Sequence, residues 1–328
     1  MSSKLLTDVQ QYLSKQRFRE AANMLVSAAE KEDADALYML ATWRVSGQIV
    51  PRDTVAARDL MERAAAAGHY EAPLLLAHFT ANGTGGLPDW ERALEMLAAL
   101  KNRATVSEQL RLLAQMDIDA SGYPRRLPAL EVLSEAPSVR TTSDFLTEEE
   151  CDYLVQKAEP RLTPSIVTDR ATGKRMVHPD RRSDGTFFGV GTEDLAVNAI
   201  NRRIAAISST RPEQAEPLQV FRYGVGGEFR PHFDSVREGG NQRILTALVY
   251  LSDDYEGGET RFLRVGLDFR GARGDLLLFN NATEDGRPDP LAEHAGLPVR
   301  SGSKIVASRW IWREPPHFPP PTPVLSEL

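Results

Sequence analysis

The chain has 328 residues, long enough for two domains that each bury a core. A net charge of −7 argues against a protein that holds nucleic acid or anionic membrane by a positive field, and Cys151, the only cysteine, excludes an intrachain disulfide and a cysteine-built zinc cage. Any metal must therefore be held by imidazoles and carboxylates. The opening stretch MSSKLLTDVQQYLSK lacks the apolar centre of a secretory signal, and no apolar run approaches the roughly 20 residues that span a bilayer. The expected setting is cytoplasmic, with no nucleic-acid or membrane partner.

Residues 35–64 repeat themselves 36 positions later: Ala36 falls over Ala72, Leu40 over Leu76, Ala41 over Ala77, Trp43 over Phe79, Gly47 over Gly83, Asp53 over Asp89 and Ala57 over Ala93. One step back, Ala21 falls under Ala57, so the first helices supply a partial unit. Small residues at facing positions let helices approach closely, and a period of this size marks stacked helical hairpins. The pattern resembles the Sel-one-like branch of the tetratricopeptide-type repeats over about residues 17–100. That resemblance implies a partner-binding array; a helical domain that only stabilises or dimerises the rest is the alternative.

The stretch DASGYPRRLPALEVLSEAPSVR breaks the helical period with three prolines and a glycine. It divides the chain into a helical domain over 1–118, a linker with a first strand over 119–140, a second domain over 141–314 and a proline-rich tail over 315–328. In the second domain Thr147 and Glu150 form a capping box that predicts a helix over 148–158. Residues 161–186 are polar and read as a mobile loop, and another helix is expected around 192–207. From Leu218 the pattern changes to the short runs LQVFRY, GEFRPHFD, RILTALVYL, ETRFLRV, GDLLLFN and SKIVASRWIW, which predict a sandwich or barrel of β-strands. The tail PPHFPPPTPV should favour polyproline II.

In GEFRPHFD, His232 and Asp234 are two positions apart; along a strand their side chains leave the same face about 7 Å apart at the backbone, near enough to share an ion. Downstream lie His294 and His317, and of these only His294 precedes another strand. Two imidazoles and one carboxylate form the facial set that leaves positions open on iron(II); zinc also accepts such ligands. A lone His-x-Asp pair is more often a surface or hydrogen-bonded pair than a metal site. His69, His78, His178 and His317 read as packing or solvated residues. Ten residues past His294 comes Lys304, near the start of an apolar strand, where burial would demand an anion; a lysine at the strand mouth in water is the alternative.

Taken together, DFLTEEECDYLVQKAE, RRSDGTFF, VFRYGVGGEFRPHFD, RILTALVYLSDDYEGGETRF, GDLLLFNN and HAGLPVRSGSKIVASRWIW resemble the catalytic domain of the prolyl 4-hydroxylase family of iron(II)- and 2-oxoglutarate-dependent dioxygenases. The resemblance covers about residues 130–313. It implies an α+β chain: an α-helical repeat domain followed by a double-stranded β-helix, or jelly roll, with flanking helices. It implies His232, Asp234 and His294 as iron ligands and Lys304 as the partner of the distal carboxylate of 2-oxoglutarate. Thr260 matches a second contact to that carboxylate, Tyr223 a tyrosine that hydrogen-bonds the co-substrate near the metal, and Tyr250 a further residue of the same face. Iron(II), 2-oxoglutarate and dioxygen are the implied cofactor and co-substrates, with ascorbate as a reductant. Because halogenating relatives lack the carboxylate ligand, the presence of Asp234 implies hydroxylation.

For substrate, the resemblance places Arg243 and Trp310 along the groove of peptide-hydroxylating relatives, and Arg181, Arg182 and Ser183 in the stretch that covers peptide; a salt bridge at the strand end is the alternative for Arg243, and a place in the core the alternative for Trp310. Phe229 departs from the family: several members carry a tyrosine there, whose hydroxyl can orient a target proline. The expected activity is hydroxylation of an unactivated C–H bond, foremost a prolyl residue of a protein or peptide recruited by the repeats. The alternatives are hydroxylation of a free amino acid or small metabolite, and a repeat adaptor carrying an inactive dioxygenase fold.

Overall fold

The computed structural model describes residues 2–168, 175–236, 240–317 and 321–327. It divides into two compact units: residues 1–123, 189–199 and 317–328 form one, and residues 124–188 and 200–316 the other. Among the described residues no helix is long and apolar enough to cross a membrane.

The first unit is built from seven helices: α1 (Ser2–Ser14), α2 (Phe18–Ala29), α3 (Ala34–Ser46), α4 (Thr54–Ala66), α5 (Ala72–Asn82), α6 (Trp90–Ala99) and α7 (Ala104–Gln115). Its repeat is visible at atomic detail. Gly47 and Gly83 close α3 and α5 with φ of +68° and +75°, a left-handed conformation that glycine adopts without a Cβ clash, and each donates its N–H to the carbonyl of the matching aromatic, Trp43 or Phe79. Asp53 and Asp89 then start α4 and α6 by accepting the N–H of Ala56 and Arg92, each at 2.9 Å. The alanines of the repeat, Ala21, Ala36, Ala41, Ala57, Ala72, Ala77 and Ala93, are buried, which is what lets the helices pack closely.

The end of the tail is anchored at Leu325, while most of its other described residues are exposed. Val324 and Leu325 donate their N–H groups to the carbonyls of Gln48 and Ile49, at 3.0 and 2.8 Å, and Leu325 joins the buried cluster that contains Trp43 and Val50. Residues 318–320 of the expected polyproline stretch lie outside the described residues.

The second unit carries α8 (Glu148–Ala158) and most of α9 (Leu195–Ile207). The capping box of α8 is present, with Thr147 and Glu150 each bonding the other's backbone N–H. Glu150 is buried and also takes a two-pronged contact from Arg203 of α9, at 2.6 and 2.8 Å, so one carboxylate both starts α8 and ties it to its neighbour.

Sixteen strands are described: β1 (Glu131–Glu135), β2 (Ser138–Thr142), β3 (Thr163–Pro164), β4 (Ile166–Thr168), β5 (Arg175–Val177), β6 (Asp184–Phe187), β7 (Gln219–Tyr223), β8 (Phe229–His232), β9 (Arg243–Tyr250), β10 (Tyr255–Gly257), β11 (Thr260–Phe262), β12 (Leu267–Phe269), β13 (Leu276–Asn280), β14 (His294–Gly296), β15 (Val299–Gly302) and β16 (Lys304–Trp312). The main sheet runs β1-β2-β13-β9-β16-β7-β6-β3, and a smaller one runs β12-β11-β14-β8. Two further pairs are β10-β15 and β4-β5. Phe221, Tyr250, Leu277, Phe279 and Val306 of the main sheet share one buried cluster with Phe262 of the smaller sheet. Two antiparallel sheets with a common core make the jelly roll expected from the resemblance.

One expectation is corrected. The stretch 161–186 is not a loop throughout, because β3 and β6 pair with each other and β6 extends the main sheet along β7, while β4 and β5 form a hairpin. Residues 169–174 lie outside the described residues. The strands are two to four residues long, too short to print a period of two on a polar sequence.

Candidate active site

Sheet register brings the two histidines together. In the smaller sheet β14 runs antiparallel to β8 with His294 directly opposite His232, so residues far apart in the chain become cross-strand neighbours with ring centroids 4.3 Å apart. β8 ends at His232, so Asp234 lies just beyond the strand rather than on it. Its carboxylate nonetheless returns to the same point: Oδ1 is 3.6 Å from His232 Nε2 and Oδ2 is 3.7 Å from His294 Nε2. One ligand atom from each of the three lies within 4.8 Å of the others.

The hydrogen bonds fix which nitrogen is free. His232 Nδ1 lies 2.7 Å from the Arg230 carbonyl and His294 Nδ1 lies 3.0 Å from the Ala292 carbonyl. A carbonyl only accepts, so each Nδ1 carries the proton and each Nε2 presents a lone pair to the common point. Burial, aided by the neighbouring His294, pushes His232 down to about 4, so it is a neutral ligand at ordinary pH. Burial alone would push Asp234 up, but His294, His232 and the Thr246 hydroxyl hold it below the usual carboxylate range. A buried carboxylate facing two lone pairs is the donor set of a divalent cation, and it fits iron(II).

His232, Asp234 and His294 line a cavity together with Lys304, Thr260, Tyr223 and Leu248 and with Phe221, Phe229, Arg181 and Trp310. Lys304 stands opposite Tyr223 in the register of β16 and β7. It is buried, and its ammonium donates to the Gly258 carbonyl at 2.7 Å, which leaves donors to spare for an anion. Burial lowers Lys304 to about 8, against a smaller opposing effect of Glu259. Thr260 shares a 2.9 Å hydrogen bond with the Tyr250 hydroxyl, and burial drives the Tyr223 phenol up to about 12, so that hydroxyl stays protonated and able to donate.

Not every residue named from the sequence reaches the cavity. Tyr250 is fully buried behind Thr260 and does not line it. Arg243 does not line it either: its guanidinium is held by Glu216 at 2.7 Å, donates to the Asp234 backbone carbonyl at 3.3 Å, and lies over the rings of Trp310 and Trp312. Phe229 stacks on the His232 ring with centroids 3.5 Å apart, and Trp310 lines the wall. Sequence reasoning missed Thr246 and Asn281. The available signal was Thr246 itself, a lone threonine inside the apolar run LTALVYL, which the structure leaves 2% exposed.

A jelly roll with two imidazoles and one carboxylate converging in a cavity that a buried lysine also lines fits the class of non-haem iron oxygenases. Comparison with known proteins agrees. The model of the 2OG-Fe(II) oxygenase superfamily matches residues 218–312. Probable prolyl 4-hydroxylase 10 of Arabidopsis thaliana is 36% identical over 207 residues, which cover 56% of this chain and 71% of that protein. Prolyl 4-hydroxylase 1 of the same plant is 37% identical over 201 residues, covering 55% and 71%. The 2OG complex of viral collagen prolyl hydroxylase from Paramecium Bursaria Chlorella virus-1 is 28% identical with a TM-score of 0.44, over 53% of this chain and 95% of that one. The chain belongs to the prolyl 4-hydroxylase-like 2OG-Fe(II) oxygenases, and is a 2-oxoglutarate-dependent dioxygenase of a family that uses iron(II), 2-oxoglutarate and dioxygen.

Proposed function

We propose that the protein hydroxylates a prolyl residue within an extended segment of a protein or peptide. The observation that carries this reading is an open groove beside the cavity, lined by Arg161, Thr163, Gln219 and Phe187 and sharing Arg181 and Phe221 with it. A chain laid along the groove can place one side chain in the cavity while its flanks stay outside. The aromatic wall of Phe221, Phe229 and Trp310 suits a pyrrolidine ring, and the relatives named above are prolyl 4-hydroxylases.

In this reading His232, Asp234 and His294 hold iron(II), and Lys304 with Thr260 receives the distal carboxylate of 2-oxoglutarate. Iron(II) with the two co-substrates supplies the oxidising power that converts 2-oxoglutarate to succinate and carbon dioxide and places one dioxygen atom on the substrate. The chain's own residues orient and seal. The Tyr223 hydroxyl offers a proton to the co-substrate, and Leu248, Phe279, Leu297 and Val306 keep water from the interior of the cavity. Phe229 offers a flat apolar face where a tyrosine would add a hydroxyl, so proline is held here by shape rather than by that hydrogen bond. The helical unit, which lies outside the residues that the family model matches, serves to recruit the substrate protein.

Succinate formation measured with proline-rich peptides and with free L-proline tests the reading. Stimulation by peptide, with one oxygen atom added to proline by mass spectrometry, is expected. Stimulation by the free amino acid alone would replace it with a small-molecule hydroxylase.

A further inference from the structure

Thr246 stands in the middle of β9, paired with Trp310 of β16 on one side and Phe279 of β13 on the other. Its hydroxyl donates to Asp234 Oδ2 at 2.7 Å, and Asn281 Nδ2 donates to Thr246 Oγ1 at 2.8 Å. Both residues are almost completely buried, at 2% and 1% exposure. A hydroxyl has one proton, and an amide N–H can only donate. With Asn281 occupying a lone pair of Oγ1, the Thr246 proton is committed to Asp234, so the direction of the relay Asn281 to Thr246 to Asp234 is fixed.

Iron ligation by a carboxylate can engage one oxygen or two, and the second mode consumes a position that a co-substrate needs. We propose that Thr246, oriented by Asn281, is the positioning residue that ties down Oδ2 of Asp234 and leaves Oδ1 as the carboxylate atom offered to the metal. The inference rests on the reading of His232, Asp234 and His294 as the metal site. It adds a reason for a polar pair inside an otherwise apolar stretch of the sheet: Leu245, Ala247 and Val249 around Thr246 are all buried and apolar. An outer hydrogen bond of this kind sets both the rotation of the ligand and its basicity.

The test is cobalt(II) titration of the full chain, read as affinity and as the ligand-field spectrum, together with melting of the metal-free protein. Thr246→Val keeps the shape and removes the hydroxyl; Thr246→Ser keeps the hydroxyl. The expected result is a 10- to 100-fold weaker cobalt affinity and an altered spectrum in Thr246→Val, the magnitude seen for outer partners of metal ligands, with recovery of both in Thr246→Ser. Asn281→Ala, which leaves Thr246 in place but unoriented, should weaken affinity less, and it carries the test if Thr246→Val does not fold. Unchanged affinity and spectrum in Thr246→Val, or an equal loss in Thr246→Ser, would overturn the proposal. So would a drop in melting temperature with no change in cobalt binding. If the wild-type chain takes up no cobalt, the metal-site reading itself falls, a result distinct from normal wild-type binding with an indifferent variant.

Discussion

The helical unit and the jelly-roll unit use polar residues in opposite ways. In the first, the residues that recur, Gly47 and Gly83, Asp53 and Asp89, serve the backbone a few positions away and repeat because the hairpin repeats. In the second, His232, Asp234 and His294 serve a common point in a cavity that Lys304 also lines, and strand register is what brings His294 to the local pair His232 and Asp234. A local signal is written out at each repeat, whereas a convergent one is written once. Substitutions in the two units should therefore fail differently, the first by stability and the second by chemistry.

The largest effect is expected at the convergent point. His232→Ala, Asp234→Ala or His294→Ala should each reduce 2-oxoglutarate turnover by roughly a thousandfold or more, since members of one catalytic set are not additive. Melting of the metal-free chain should change little by comparison, since His232 and His294 each give up one hydrogen bond to a backbone carbonyl, worth about 1 kcal/mol. Succinate release with parallel calorimetry checks both halves; unfolding of all three variants would erase the contrast between the units.

Next comes Lys304→Ala, for which the 2-oxoglutarate KM should rise roughly 100-fold, as when a buried charge loses its partner. The same residue gives a pH dependence. Because burial lowers its amine from 10.5 to about 8, the charged form that binds the co-substrate is fully present below pH 8 and is lost above it. Affinity for 2-oxoglutarate should then fall about tenfold per pH unit beyond that point. The stability of the chain free of co-substrate should move the other way, rising from about pH 8 towards 10.5, since there the unfolded chain binds more protons than the folded one. A flat profile in Lys304→Ala and a sloping one in the wild type would sharpen the assignment.

The smallest effects belong to the repeat. Asp53→Ala and Asp89→Ala each remove a helix cap and should cost about 1 kcal/mol, seen as a shift of a few degrees in the melting of the helical unit, and they should combine nearly additively. KM for 2-oxoglutarate should be untouched. A changed KM would mean that the two units are not as independent as their chemistry suggests.

This contrast also explains what the sequence could reveal. The 36-residue period, the capping box at Thr147 and Glu150 and the His232/Asp234 pair are local, and all were readable. His294 was reachable because it precedes a strand, and Lys304 because a lysine near the start of an apolar strand asks for an anion. The strands β3 to β6 were not readable, since they are short and polar and exist through their partners. For Arg243 a place in the groove and a salt bridge at the strand end were both open in the sequence; the structure makes the salt bridge, with Glu216 just before β7, a partner that no spacing announces. The Thr246 and Asn281 pair was hidden for the same reason: the two residues meet only through the pairing of β9 with β13.

His232 and Asp234, with His294 from about 60 residues further along the chain, are read here as the holders of one ferrous ion. X-ray absorption of the iron-loaded protein tests this reading directly. One iron per chain is expected, with two imidazole nitrogens and one carboxylate oxygen in its shell, and one imidazole should be lost in His294→Ala. An iron shell that holds fewer than two imidazoles in the wild type, or that is unaltered in His294→Ala, would contradict it.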